Sequence, residues 1–227
     1  MGKRAVIFDF FGTLIDGFSR PAYREMLTAM AELLGVPPDD LISQWMRTFD
    51  LRITGKLSTI EGNLEYICNQ LGRKADPDAI VTAAAIRLEH TVKEIVPRPH
   101  AIEVLEELRR RGIKTGLLSD CTIEIALAWP RTPFAPLFDV AVFSCVEHLT
   151  KPDPAIYLRA VERLGVSPAE CLYVGDGGSQ ELSGALKVGM KPVQITLSEE
   201  GAKVYRIDPE DWDGPVIDCL TAVLDLV

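Results

Sequence analysis

Short apolar runs and helical patterns alternate over most of this chain. Ala5-Val6-Ile7-Phe8 is bounded by Asp9 and by Gly12-Thr13. It is short and unalternated, as a strand covered on both faces would be. Similar runs recur at 113–119, 138–144, 171–174 and 191–196. Between them, Ala101, Val104, Leu105 and Leu108 meet the i, i+3, i+4, i+7 template of an amphipathic helix, as do Tyr157, Ala160, Val161 and Leu164. Basic residues followed by Gly112 end the first of these helices. The alternation predicts an α/β fold: a doubly wound, Rossmann-like parallel sheet with helices on both faces.

Residues 16–96 break that rhythm. They contain no strand-like run and read as helices over 21–34, 38–49, 58–71 and 77–94. Pro97-Arg98-Pro99 closes the stretch, because proline stops a helix and stiffens a hinge. The expected organisation is a discontinuous core, 1–15 plus 97–227, with an all-helical insert, 16–96, over one end of the sheet.

With 227 residues, 47% of them hydrophobic, the chain is ample for a packed core. Its 33 acidic against 24 basic residues give a net charge of -9, which argues against nucleic acid as a partner and leaves room for a small anion in a local pocket. The five cysteines form no CxxC pair, so neither a disulfide framework nor a zinc knuckle is expected. The apolar run near the N-terminus stops at Asp9, too early for a signal peptide, and Val6 stands where myristoylation requires Ser or Thr. No stretch approaches the ~20 apolar residues of a membrane span. The expectation is a cytoplasmic protein without a membrane partner; the oligomeric state is left open.

In a parallel sheet the strand C-termini share one edge, and polar residues just beyond them converge. Here these are Asp9, Ser119-Asp120, Lys151 within Leu149-Thr150-Lys151-Pro152-Asp153-Pro154, and Gly175-Asp176 followed by Glu181. A nucleophilic carboxylate, a hydroxyl, a fixed cation and a second acidic cluster would share one cleft. Two carboxylate sites suit a hard divalent cation such as Mg2+. Lysine and metal together would offset the repulsion between an anionic nucleophile and a phosphate. Backbone N–H groups of the turn from Phe10 through Phe11 and Gly12 to Thr13 would hold phosphate oxygens.

Phe8-Asp9-Phe10-Phe11-Gly12-Thr13-Leu14, Leu118-Ser119, Lys151-Pro152-Asp153-Pro154 and Gly175-Asp176 together resemble the four ordered motifs of the haloacid dehalogenase (HAD) superfamily. The resemblance covers nearly the whole chain and makes the helical insert a cap. It implies a hydrolase with Asp9 as nucleophile, Ser119 bonding the transferred group and Lys151 orienting it. It also implies Mg2+ held by Asp9, the Phe11 backbone carbonyl and Asp176, with Glu181 assisting through a water. The implied substrate is a small phosphorylated metabolite.

Two departures from the family pattern bear on chemistry. Phosphatases of the family place a second Asp where this chain has Phe11, and that Asp protonates the leaving alkoxide. A backbone carbonyl survives the change; the acid does not. Loss of a general acid costs on the order of 10²–10⁴ in rate. The 2-haloacid dehalogenase branch carries an aromatic residue at this position, and its leaving halide needs no proton. That branch holds the substrate carboxylate with a cap arginine, for which Gln44-Trp45-Met46-Arg47 offers Arg47. Dehalogenases lack the Gly-Asp pair seen at Gly175-Asp176, however, and the metal evidence outweighs the aromatic one. The second departure is Glu181, where Asp is commoner. The phosphonoacetaldehyde hydrolase branch combines a non-acid at this position with Mg2+ but needs a cap lysine, for which Lys56 stands in. A catalytically weak phosphate-binding protein is the remaining alternative.

Other residues have plainer readings. Asp120 reads as a surface turn residue, and Arg47, Arg52 and Lys56 read as solvated helix residues unless the substrate claims them. Trp45 and Met46 suit a cap–core interface. His90, His100 and His148 have no metal-ligand spacing, although His148 is near enough to Lys151 to line the cleft.

Overall fold

A computed structural model describes residues 3–196 and 208–227. Met1 and Gly2, where the lipidation reading falls, lie outside the described residues, as does the 197–207 part of the expected core. Five strands match the predicted runs: β1 (Ala5–Phe8), β2 (Lys114–Ser119), β3 (Val140–Phe143), β4 (Cys171–Gly175) and β5 (Lys191–Ile195). A two-residue sixth, β6 (Val216–Ile217), is too short to carry a period and was not legible in the sequence. All pairs are parallel, in the order β3-β2-β1-β4-β5-β6. Phe8 is in register with Leu117 on one side and Val174 on the other, so β1, β2 and β4 end at the same edge, β2 at Ser119 and β4 at Gly175 running slightly past β1.

Side chains of β1 alternate between two cores, as strand geometry requires. Val6 and Phe8 pack with Leu117, Val174 and the helix α6 (Ala101–Arg110); Ala5 and Ile7 pack with Leu118, Tyr173 and the helix α9 (Pro154–Leu164). Both faces are thus covered, which is why these strands read as continuous apolar runs.

The inserted segment holds α1 (Arg20–Leu33), α2 (Pro38–Arg47), α3 (Phe49–Ile53), α4 (Ile60–Gln70) and α5 (Pro77–Glu94). The short α3 is absent from the sequence expectation, which ran α2 on to residue 49. Prolines open α2 and α5, where the missing N–H costs nothing, and Asp76 caps α5 through the Asp78 N–H at 2.9 Å. Met30, Leu41, Trp45, Leu64 and Ala83 build a core of the insert's own. The two chain crossings between insert and sheet run side by side, with Ile15 bridged to Pro97 and Arg98 N donating to Leu14 O at 2.8 Å. No described helix is long and apolar enough to cross a membrane.

Candidate active site

The end of β1 delivers Asp9, whose own N–H is tied to Val174 O at 2.9 Å. The chain then turns tightly: Leu14 N donates to Phe10 O at 2.9 Å, and Gly12 takes a φ of 80°, which a side chain would strain. Lys151 arrives from the loop between α8 (Ser144–Glu147) and α9 and binds two carboxylates at once. Its Nζ donates to Asp9 Oδ1 at 2.7 Å and to Glu181 Oε2 at 2.6 Å. Glu181 opens α10 (Glu181–Lys187) and is fully buried. It also accepts the Tyr173 hydroxyl at 2.8 Å and the Gly177 N–H at 3.0 Å. A β-carbon at Gly175 would collide with this carboxylate, so the glycine of the fourth strand end makes room for it.

The electrostatics follow from burial and pairing. Burial works against the Lys151 ammonium, yet Asp9 and then Glu181 outweigh it and hold its pKa well above the ordinary lysine value. Burial, followed by the Asp9 charge, pushes Glu181 up to about 8 against the pull of Lys151.

Two hydroxyls singled out in the sequence, Ser119 and Thr13, are fully buried, and neither Oγ atom has a hydrogen-bond partner. Buried hydroxyls without partners are uncommon and mark places where another group is expected to bind. Asp176 lies at the β4 end, 5% exposed, with Oδ1 accepting the Gly178 N–H at 3.0 Å. Carboxylate oxygens of Asp9, Asp176 and Glu181 all fall within 4.8 Å of one another. Three buried carboxylates against one lysine form an all-oxygen donor set with excess negative charge, which fits a hard divalent cation. Phe11 is half-buried, its ring 5.4 Å from Phe10 and 5.5 Å from Phe18. The position two residues after Asp9 thus carries an aromatic ring packed on its neighbours, with no proton to give.

Several readings need correction. Asp120 is no surface turn residue: it is half-buried, it accepts the Lys151 backbone N–H at 3.1 Å, and burial raises its carboxyl above the ordinary range. Arg52 is not solvated but 2% exposed, stacked over the Trp45 ring at 4.2 Å. Trp45 is buried in the insert's own core, donating to the Tyr23 hydroxyl at 2.8 Å, and Met46 is 62% exposed. Arg47 and Lys56 are exposed, and neither joins the buried cluster. His148 touches the insert, its Nδ1 3.0 Å from Thr54 O.

Two arrangements escaped the sequence reading. Arg98, between the hinge prolines, donates to the Gly12 carbonyl and, at 3.0 Å, to Thr196 O, bracing the turn that follows Asp9. The only sequence signal was a charged residue in an otherwise stiff linker. Arg87 and Glu124 form a buried ion pair between insert and core, and nothing local marks either residue.

A family model described as haloacid dehalogenase-like hydrolase matches residues 3–189. The chain belongs to this family. This hydrolase is 30% identical over 197 residues to a glyceraldehyde 3-phosphate phosphatase of Methanopyrus kandleri, covering 85% of this chain and 83% of the relative. It is also 30% identical over 205 residues to (S)-2-haloacid dehalogenase 4A of Burkholderia cepacia, covering 85% and 82%. Among solved structures, a HAD phosphatase from Thermococcus onnurineus superposes with a TM-score of 0.66 at 26% identity, over 98% of this chain and 96% of that one. Relatives of both chemistries share the fold, so the site has to decide between them.

Proposed function

We propose that this hydrolase is a phosphohydrolase acting on a small phosphorylated metabolite, with Asp9 as nucleophile. The observation that carries the reading is the buried Lys151–Asp9 pair at the sheet edge, with two buried, unpartnered hydroxyls supplied by neighbouring segments: Ser119 at the end of β2 and Thr13 in the turn after Asp9. A tetrahedral anion with several acceptor oxygens would satisfy that donor set. Asp9, Asp176 and Glu181, with the Phe11 carbonyl, are the residues that would hold Mg2+. The ion would supply positive charge against the phosphate and the nucleophile.

In the first step an Asp9 oxygen attacks phosphorus, the bond to the leaving oxygen breaks, and an aspartyl phosphate forms. Lys151 pairs with Asp9 and, with Ser119, offers donors to the phosphoryl oxygens. Water then attacks the aspartyl phosphate, releasing inorganic phosphate and restoring Asp9. Phe11 has no proton for the leaving oxygen, so the preferred substrates depart as stable anions: acyl phosphates, enol phosphates or aryl phosphates. The backbone N–H groups of Gly12 and Thr13, expected to hold phosphate, instead close the turn itself: Gly12 donates to Ile15 O at 2.7 Å and Thr13 to Phe10 O at 3.4 Å.

A second reading keeps Asp9 as nucleophile but directs it at carbon. The aromatic Phe11 and the Burkholderia dehalogenase relative favour it; the Asp9–Asp176–Glu181 cluster does not. Its carboxylate anchor, Arg47, is exposed.

The deciding assay offers acyl phosphates, alkyl phosphate esters and 2-chloropropionate, with Mg2+ and with EDTA. Phosphate release that stops in EDTA supports the proposal. Phosphate release unaffected by EDTA would remove the metal, and halide release without phosphate release would establish the second reading.

A further inference from the structure

Asp9, Lys151, Asp176 and Glu181 are each less than a tenth exposed. The insert contacts the core beside that edge, through Thr54 on His148 and through a polar seam at Glu124. Arg87 on α5 donates to Glu124 Oε1 through Nε at 2.9 Å and Nη2 at 2.6 Å. Arg52 on α3 stands 3.9 Å from the same oxygen and donates to Trp45 O at 2.7 Å. All three charged side chains are at most 3% exposed. Glu124 lies in the first turn of α7 (Ile123–Ala128), the helix that follows the Ser119-Asp120 strand end. Three polar atoms of this cluster, Arg52 Nε, Arg87 Nη1 and Glu124 Oε2, have no hydrogen-bond partner.

We propose that Arg87 and Glu124 are positioning residues for the reaction at Asp9: their ion pair seats the insert on the strand edge, and hydration of the pair releases it. The kinetic consequence rests on the phosphohydrolase reading; the opening itself does not. A buried ion pair holds its partners in one geometry yet gains little over an apolar pair of the same volume, since both charges have left water. On opening, water solvates both charges and supplies partners to the three unsatisfied atoms. An apolar seam would instead expose its surface to water and resist opening. Two guanidiniums facing one carboxylate act in the same direction, because the surplus buried charge regains hydration in the open form. The seam therefore has a defined closed geometry and a low cost of separation, which suits an insert that must admit substrate and release phosphate at every turnover.

The test compares wild-type full chain with R87M, R87K and the triple variant R52M/R87M/E124L, by hydrogen–deuterium exchange, thermal unfolding and turnover of p-nitrophenyl phosphate with Mg2+. The triple variant replaces the pair by apolar side chains, with R52M added so that no guanidinium stays buried without its carboxylate. It is expected to keep or raise the Tm while amides of α5 and α7 at the seam exchange about tenfold more slowly. Its kcat falls, with KM within about twofold, as opening becomes limiting. R87M alone strands Glu124, lowers the Tm and speeds exchange at the seam, and R87K brings exchange back toward wild type. Wild-type exchange in the triple variant, or R87M indistinguishable from wild type in Tm and exchange, would overturn the proposal. A merely structural pair would restore kcat together with Tm in the triple variant, which overturns it equally. Exchange needs no substrate, so a wild-type protein inactive on phosphates would sink the functional reading and leave the seam test standing.

Discussion

Lys151 donates to Glu181 at 2.6 Å across 30 positions of sequence while also holding Asp9 at 2.7 Å. One buried cation thus bridges two carboxylates from different strand ends. Lys151→Met removes it and leaves the two carboxylates facing each other. Breaking a buried pair in this way costs about 3 kcal/mol or more, to be read from urea unfolding. Turnover is expected to fall at least about a hundredfold. Added Mg2+ should stabilise this variant more than wild type, because a cation bound only by the folded state raises its stability. A variant indifferent to Mg2+ would argue against the acidic cluster as a metal site.

Phe11 predicts a leaving-group dependence. Across a series of phosphate esters the wild-type rate should fall steeply as the leaving group becomes more basic. Phe11→Asp should flatten that slope and raise turnover of alkyl esters by about tenfold or more, leaving acyl phosphates little changed. The Phe10 and Phe18 rings lose a packing partner, so a modest drop in Tm is expected alongside. An unchanged slope would show that another group already supplies the proton.

Ser119→Ala should separate binding from stability. The hydroxyl makes no hydrogen bond within the protein, so deleting it is expected to leave the Tm unchanged or slightly raised. Inhibition by inorganic phosphate should weaken by about tenfold, the worth of one hydrogen bond to a charged group. A large loss of stability with unaltered phosphate inhibition would remove Ser119 from the binding set.

Glu124 predicts a pH dependence. Burial raises its carboxyl, but Arg87 and then Arg52 outweigh burial and hold it below the ordinary range. A depressed folded-state pKa contributes stability that is complete above the unfolded value, about 4.3, and drains away as pH falls through the folded value. Comparing the urea midpoints of wild type and Glu124→Gln should therefore show the largest gap near neutrality, closing below about pH 4. A gap that does not vary with pH would mean that Glu124 is not held ionised by its arginines.

Local pattern alone determined the strands that matter, because a strand buried on both faces must be apolar throughout and must stop where polar chemistry begins. Asp9, Ser119, Lys151 and Asp176 were legible for that reason: each directly follows a recognisable run or sits in a short motif beside one. The insert was legible as well, since helical periodicity without strand runs leaves few alternatives. The tertiary structure decided what no single segment encodes. Glu181 became the shared partner of Lys151 and Tyr173 only because the β4 end and the loop before α9 meet. Asp120 moved from surface to site because Lys151 offers it a backbone N–H from 31 positions away. Arg52, Arg87 and Glu124 look like solvated helix charges until insert and core close on them, for burial belongs to the contact between two surfaces and leaves no periodic trace in either.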